Sequence, residues 1–179
     1  DIHDRLVIID SASKRFSACG ARIGTIVCKN KELFNLIFKL CQGRLSVSTV
    51  EQHGALGLYE AGYRVINQVR DEFEKRRNVV YDALRQVPGV ECNKPEGAFY
   101  MMCKLPVEDA TEFLIWMLEE FDVDGETVMA APGEGFYATK GLGKDEIRLA
   151  FTLECSLLEK AVSILAKGLE EYNKVRGMV

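Results

Sequence analysis

Four consecutive apolar residues, Leu6-Val7-Ile8-Ile9, run straight into a loop rich in small residues, Asp10-Ser11-Ala12-Ser13-Lys14-Arg15-Phe16-Ser17-Ala18-Cys19-Gly20-Ala21-Arg22-Ile23-Gly24. A strand with one wet face alternates apolar and polar residues, whereas an unbroken apolar run predicts a strand covered on both faces, as in a mainly parallel sheet. In open α/β sheets ligands gather at the carboxyl ends of the strands, and Lys14 lies just beyond this one. Small neighbours let a bulky ligand come close to the backbone. Ser11 and Ser13 offer hydroxyls, and Arg22 offers a planar fork matched to phosphate. An amine that can condense with a carbonyl, next to donors for an anion, suits a carbonyl cofactor with a phosphate tail.

The 179 residues are enough for one domain, or one domain and part of another. A hydrophobic share of 47% supplies a core and excludes disorder as the main state. The net charge of -4, with signs interspersed, gives no reason to expect a nucleic acid or an anionic membrane surface as partner. No apolar stretch has the length of a membrane span, and the first residues lack a signal-peptide pattern. The start at Asp1 carries no initiator Met, so further chain is expected upstream. Six cysteines occur without a C-x-x-C pair, and His3 and His53 are the only imidazoles, so no metal site is expected. Most of the cysteines sit in apolar segments and read as small buried hydrophobes in a reducing, cytoplasmic setting.

Further along, 23–28 reads as a strand. Asn30 is a helix cap with Gly43 as the stop, and Ser48 with Glu51 forms a capping box for a helix ending near Gly62. The longest helical pattern covers 64–87, with Ile66, Val69, Phe73, Val80, Leu84 and Val87 at three-four spacing. Its charged middle, 72–78, reads as a solvated face. Pro88-Gly89 ends it. Strands are expected at 90–92, 98–103, 128–131 and 146–151, and a helix at 108–121 whose Met and aromatic stripe is core. Ser156 and Glu159 read as a second capping box opening the last helix. The expected division is 1–67, the end of an α/β domain, and 68–179, an α+β domain together with the long helix.

The order Ser11-Ala12-Ser13-Lys14, Ser17-Ala18, Gly20, Arg22-Ile23-Gly24 resembles the cofactor-lysine signature of class-I, fold type I, pyridoxal-phosphate aminotransferases, aspartate aminotransferases among them. The resemblance continues downstream. Pro132-Gly133 followed by Arg148 in the apolar strand Glu146-Ile147-Arg148-Leu149-Ala150-Phe151 is where that family places the arginine that grips the substrate α-carboxylate. Glu96-Gly97-Ala98-Phe99-Tyr100 matches a stretch near the substrate. The glycines of 133–143 do not make a P-loop, because Lys144 is followed by Asp145.

The resemblance implies pyridoxal 5'-phosphate as cofactor and Lys14 as its covalent anchor and general base. It also implies Ser11 and Arg22, with Ser13 less central, as phosphate ligands, Arg148 as the carboxylate fork, and Gly97 as room for the substrate. It implies transfer of an amino group between an amino acid, here aspartate, and 2-oxoglutarate, by a homodimer. The family's chains are much longer, and its Asp for the pyridine nitrogen, its ring-holding aromatic and Asn side chains and its Gly/Ser-rich phosphate segment would all lie upstream of Asp1. The chain therefore reads as a C-terminal half that is inactive by itself. A lyase or decarboxylase of the same fold, and a non-catalytic module of aminotransferase type, are the alternatives.

Overall fold

The computed structural model describes residues 2–177, which form two compact units divided between Asp71 and Glu72.

In the first unit, β1 (Val7–Ser11) runs into a single helical turn, α1 (Ala12–Arg15). The chain returns through a 3₁₀ turn at Cys19–Ala21 to β2 (Gly24–Cys28). The strands pair antiparallel, with Ser11 opposite Gly24 and Val7 opposite Cys28. Burial on both faces, expected for the apolar run, is not reached: Ile8 is 51% and Ile9 77% exposed. The physical reason is that β1 pairs with β2 alone among the described residues, and no layer of them covers the ribbon. The helices α2 (Lys31–Gln42) and α3 (Thr49–Ala61) follow. Asn30 caps α2 as expected, its Oδ1 accepting from the Leu33 N–H at 3.0 Å. At α3 the Ser48 side chain makes no cap bond to the backbone, and the box reduces to a hydrogen bond between the Ser48 and Glu51 side chains. The small core consists of Ala12, Phe16, Ile23 and Ala55.

The long helix α4 (Tyr63–Leu84) leads into the second unit. A turn with Gly89 at φ +77° follows, a conformation that favours glycine. The four-stranded antiparallel sheet has the order β3-β4-β6-β5, where β3 is Glu91–Cys92, β4 Tyr100–Lys104, β5 Ala131–Pro132 and β6 Glu146–Ala150. Strand alternation divides its faces. Met101, Cys103 and Ile147 are buried in a core shared with Leu84 of α4, Phe113 and Met117 of α5 (Ala110–Glu119), and Leu158 and Leu165 of α6 (Cys155–Val175). Tyr100, Met102 and Arg148 alternate with these buried residues, and Met102 lies opposite Arg148.

Three expectations need correction. The strand at 128–131 shrinks to Ala131–Pro132. The final helix starts one residue before Ser156, which donates to Glu154 rather than capping. Of the cysteines only Cys103 is buried, while Cys19 and Cys41 are exposed, because they lie on a turn and at a helix end rather than under the sheet.

Candidate functional site

The Lys14 loop is built by local hydrogen bonds. Ser11 is the N-cap of α1: its Oγ accepts from the Ser13 N–H at 3.2 Å and sits 3.5 Å from the Ile23 carbonyl, to which it can donate. The Ala12 N–H donates to the same Ile23 carbonyl at 3.1 Å. These bonds tie the start of α1 to the residue beside Arg22. Asp10 steadies the turn from below, accepting from the Ser11 N–H at 2.8 Å and pairing with Arg15 at 2.6 Å. Ala12 and Phe16 point into the small core, so Lys14 between them is exposed.

Two non-glycine residues flanking this loop have left-handed backbone, Ser17 at φ 53° and Arg22 at φ 54°. Such conformations cost about 1–3 kcal/mol each and collect at ligand sites. Arg22 donates from Nη1 to the Cys19 carbonyl at 3.1 Å, which leaves most of its fork uncommitted. It also lines a cavity of about 320 Å³ with Arg44, Ser46, Ser48 and Glu51. One Glu51 carboxylate oxygen there is buried without a partner among the described residues. The hydrogen bond with Ser48 holds that carboxyl below its usual pKa. Two guanidinium groups against one carboxylate leave the cavity net positive.

The structure thus brings Ser11, Ser13, Lys14 and Arg22 onto one strand-turn-strand unit. An amine, hydroxyls and a guanidinium form a donor set that fits an aldehyde with a phosphate tail. Ser11 enters such a site only by exchanging its long bond to Ile23, and Ser13 is less encumbered.

Arg148 belongs to the second unit. It is partly buried, and its Cζ lies 4.2 Å from the ring centroids of both Tyr100 and Phe136. No carboxylate or carbonyl hydrogen-bonds or pairs with it among the described residues, so its donors are available to an incoming anion. Gly97 lies in the turn before β4, where an added Cβ would meet nothing within 4 Å. Arg77 anchors that turn by donating from Nη1 to the Pro95 carbonyl at 3.2 Å. Arg76 likewise donates to the Thr152 carbonyl at 2.5 Å. The charged middle of α4 is therefore not simply solvated; two of its arginines hold loops of the second unit.

Sequence reasoning missed Phe136. The signal was available in an aromatic residue on the Pro-Gly loop that leads to an arginine-bearing strand. Among the described residues no helix is long and apolar enough to cross a membrane, and no cluster of three metal-binding side chains occurs.

Comparison with known proteins adds an independent line. The profile of the family described as aminotransferase class I and II matches residues 1–165, which include both Lys14 and Arg148. An aspartate aminotransferase of Geobacillus stearothermophilus is 31% identical over 95% of this chain, which spans 42% of that relative. The aspartate aminotransferase structure from Thermotoga maritima superposes on 94% of the chain with a TM-score of 0.74 at 28% identity, covering 41% of its own length. The kynurenine aminotransferase of Pyrococcus horikoshii, solved in complex with PMP, covers 96% of the chain with a TM-score of 0.74 at 26% identity, and 42% of itself is matched. The chain thus spans about two fifths of the proteins it resembles, and their fold is the α/β, fold type I arrangement expected from its sequence. With that profile covering residues 1–165, this chain belongs to the class I and II aminotransferases.

Proposed function

We propose that the chain supplies the lysine-bearing and carboxylate-binding parts of a pyridoxal-phosphate aminotransferase. The reading assigns 1–67 to the end of the large cofactor domain and 68–179 to the small domain with its linking helix. The observation that carries it is that one family profile spans both Lys14, on an exposed strand-end loop, and Arg148, a positioned fork with free donors.

Pyridoxal phosphate, when bound, supplies an electron sink for the bonds at the substrate α-carbon. The chain's residues do the rest. Lys14 Nζ would hold the cofactor's aldehyde and, as a free amine, would serve as general base toward the substrate α-carbon. Arg22 binds the phosphate through its uncommitted N–H groups, with Ser13 and Ser11 as hydroxyl ligands. Arg148 would take the α-carboxylate through two parallel charge-assisted bonds, and it cannot lose its proton. Gly97 leaves the space beside it open.

The substrates are aspartate and 2-oxoglutarate, and the protein works as a homodimer in the cytoplasm. The residues 1–179 alone are inactive. The test is a transaminase assay on the full-length protein, with aspartate against a panel of amino acids. Oxaloacetate formation that disappears in Lys14→Ala is the expected result. Transamination of another amino acid but not aspartate would overturn the substrate assignment. Elimination or decarboxylation without amino transfer would overturn the reaction itself.

A further inference from the structure

We propose that Tyr100 and Phe136 are positioning residues that hold the Arg148 guanidinium ready for a planar carboxylate, with the Tyr137–Glu146 hydrogen bond as the latch that keeps Phe136 in place. The inference rests on the reading of Arg148 as the carboxylate fork.

An arginine side chain has several rotatable bonds, and freezing it on binding opposes affinity. Here that ordering is done beforehand. Both ring centroids lie 4.2 Å from Cζ, well inside the range in which a cation is drawn to an aromatic face. Rings occupy the faces of a guanidinium and leave its N–H edge for partners, which is the edge a carboxylate engages. Since no acid or carbonyl pairs with Arg148 among the described residues, the rings are what hold it.

Tyr100 is delivered by β4, where it lies two residues from Met102, the partner of Arg148 across the β4–β6 pair. Phe136 is half exposed and comes from a 3₁₀ turn, so its position must be maintained by other contacts. The Gly133 N–H donates to the Glu146 carbonyl at 2.7 Å, and a Cβ at Gly133 would lie 2.7 Å from the Glu146 Cβ. The Tyr137 hydroxyl donates to Glu146 Oε2 at 2.6 Å, a bond that pushes the phenol above its usual pKa. The Tyr137 ring lies so close over Gly143 that an added Cβ would sit 2.4 Å from it, and Gly143 has φ +71°. Glu146 thus fastens the loop from both ends, one residue away from the strand neighbour of Arg148.

The experiment uses the full-length, cofactor-loaded protein. It measures kcat and KM for the amino-acid substrate and, by calorimetry, the affinity for succinate, a carboxylate that does not react. Phe136→Leu and Tyr100→Leu are expected to raise KM and the succinate Kd by about 5- to 30-fold, the size of a lost cation–ring contact, with kcat changed less. Phe136→Tyr keeps the ring and is expected to restore both constants. Tyr137→Phe, which removes only the latch hydroxyl, is expected to shift them in the same direction by about 2- to 3-fold.

Arg148→Lys distinguishes the carboxylate fork from the rings that position it. If Arg148→Lys weakens succinate strongly and Phe136→Leu does not, the positioning role is wrong and the fork stands. If Arg148→Lys leaves succinate binding unchanged, the fork assignment fails and the positioning role with it. A Phe136→Leu defect that Phe136→Tyr fails to restore also overturns the proposal, because the ring is then not what matters.

Discussion

Lys14 and Arg148 stand on opposite kinds of support. The unit that carries Lys14 has four buried core residues, and its strands leave Ile8, Ile9, Ile26 and Val27 between 42% and 77% exposed. The loop is shaped by hydrogen bonds within about a dozen residues and by two strained backbones, at Ser17 and Arg22. The unit that carries Arg148 is built on a sheet above twenty buried core residues. Within 1–179, the lysine that the proposed reading makes reactive sits on a loop held by local hydrogen bonds, and the arginine it assigns to the carboxylate sits on a strand over a packed core. A fork that must meet a carboxylate at a set angle needs a rigid base.

The largest expected effect sharpens the chemical side of this contrast. Lys14→Ala in the full-length protein should reduce transamination by at least about 10³-fold, since anchor and general base are lost together. Arg148→Lys should act mainly on KM. A modest effect of Lys14→Ala on turnover would break the division of labour.

The packing side is tested by denaturant unfolding of the chain. Phe113→Ala, at a side chain with no exposed surface, should cost about 3–5 kcal/mol, whereas Ile9→Ser, at a side chain 77% exposed, should cost less than about 0.5 kcal/mol. Equal costs would mean that β1 is packed as its apolar sequence first implied.

A smaller effect concerns the cap of α5. Asp109 accepts from the Thr111 and Glu112 N–H groups at 2.8 and 3.2 Å, and pairs with Lys144 at 3.6 Å. Burial pushes its carboxyl up, but those bonds and the lysine outweigh it and hold the pKa below the usual value. A depressed carboxylate stabilises the fold above its unfolded pKa, and that contribution is lost as pH falls through the folded value. Asp109→Ala should therefore cost about 1 kcal/mol near neutral pH, and the difference from the parent should shrink in acid. A difference that grows in acid would contradict the assignment.

The smallest contrast is in thiol reactivity. Burial, the Cys92 thiol beside it and the Glu146 charge push Cys103 up to about 12, and burial raises Cys92 as well. An alkylating reagent at mild pH should modify exposed Cys19 and Cys41 well before either. Labelling of Cys103 at a similar rate would show that the sheet opens readily.

What could be read from the sequence followed from short-range physics. Asn30 announces its helix because its side chain satisfies the Leu33 amide three residues on. Gly43 and Gly62 stop their helices, and the apolar stripe of α5 falls where it packs. The burial of β1 could not be read, because an apolar run states what a strand needs and not what this chain provides. Ser156 and Glu159 fitted a capping pattern, but the helix begins a residue earlier, where Ser156 is already inside. Arg76 and Arg77 looked solvated because their partners, the carbonyls of Thr152 and Pro95, lie 76 and 18 residues away. The site followed the same division. Ser11, Lys14 and Arg22 are held within one short loop and were legible together. The rings at Arg148 come from β4 and from a separate turn, and only the fold unites them.

Whether Lys14 anchors the cofactor is decided by incubating the full-length protein with pyridoxal phosphate, reducing with borohydride, and locating the added mass by peptide mass spectrometry. Stoichiometric label on Lys14 alone is expected, and none at that peptide in Lys14→Ala. Label spread over surface lysines, or concentrated on a lysine other than Lys14, would contradict it.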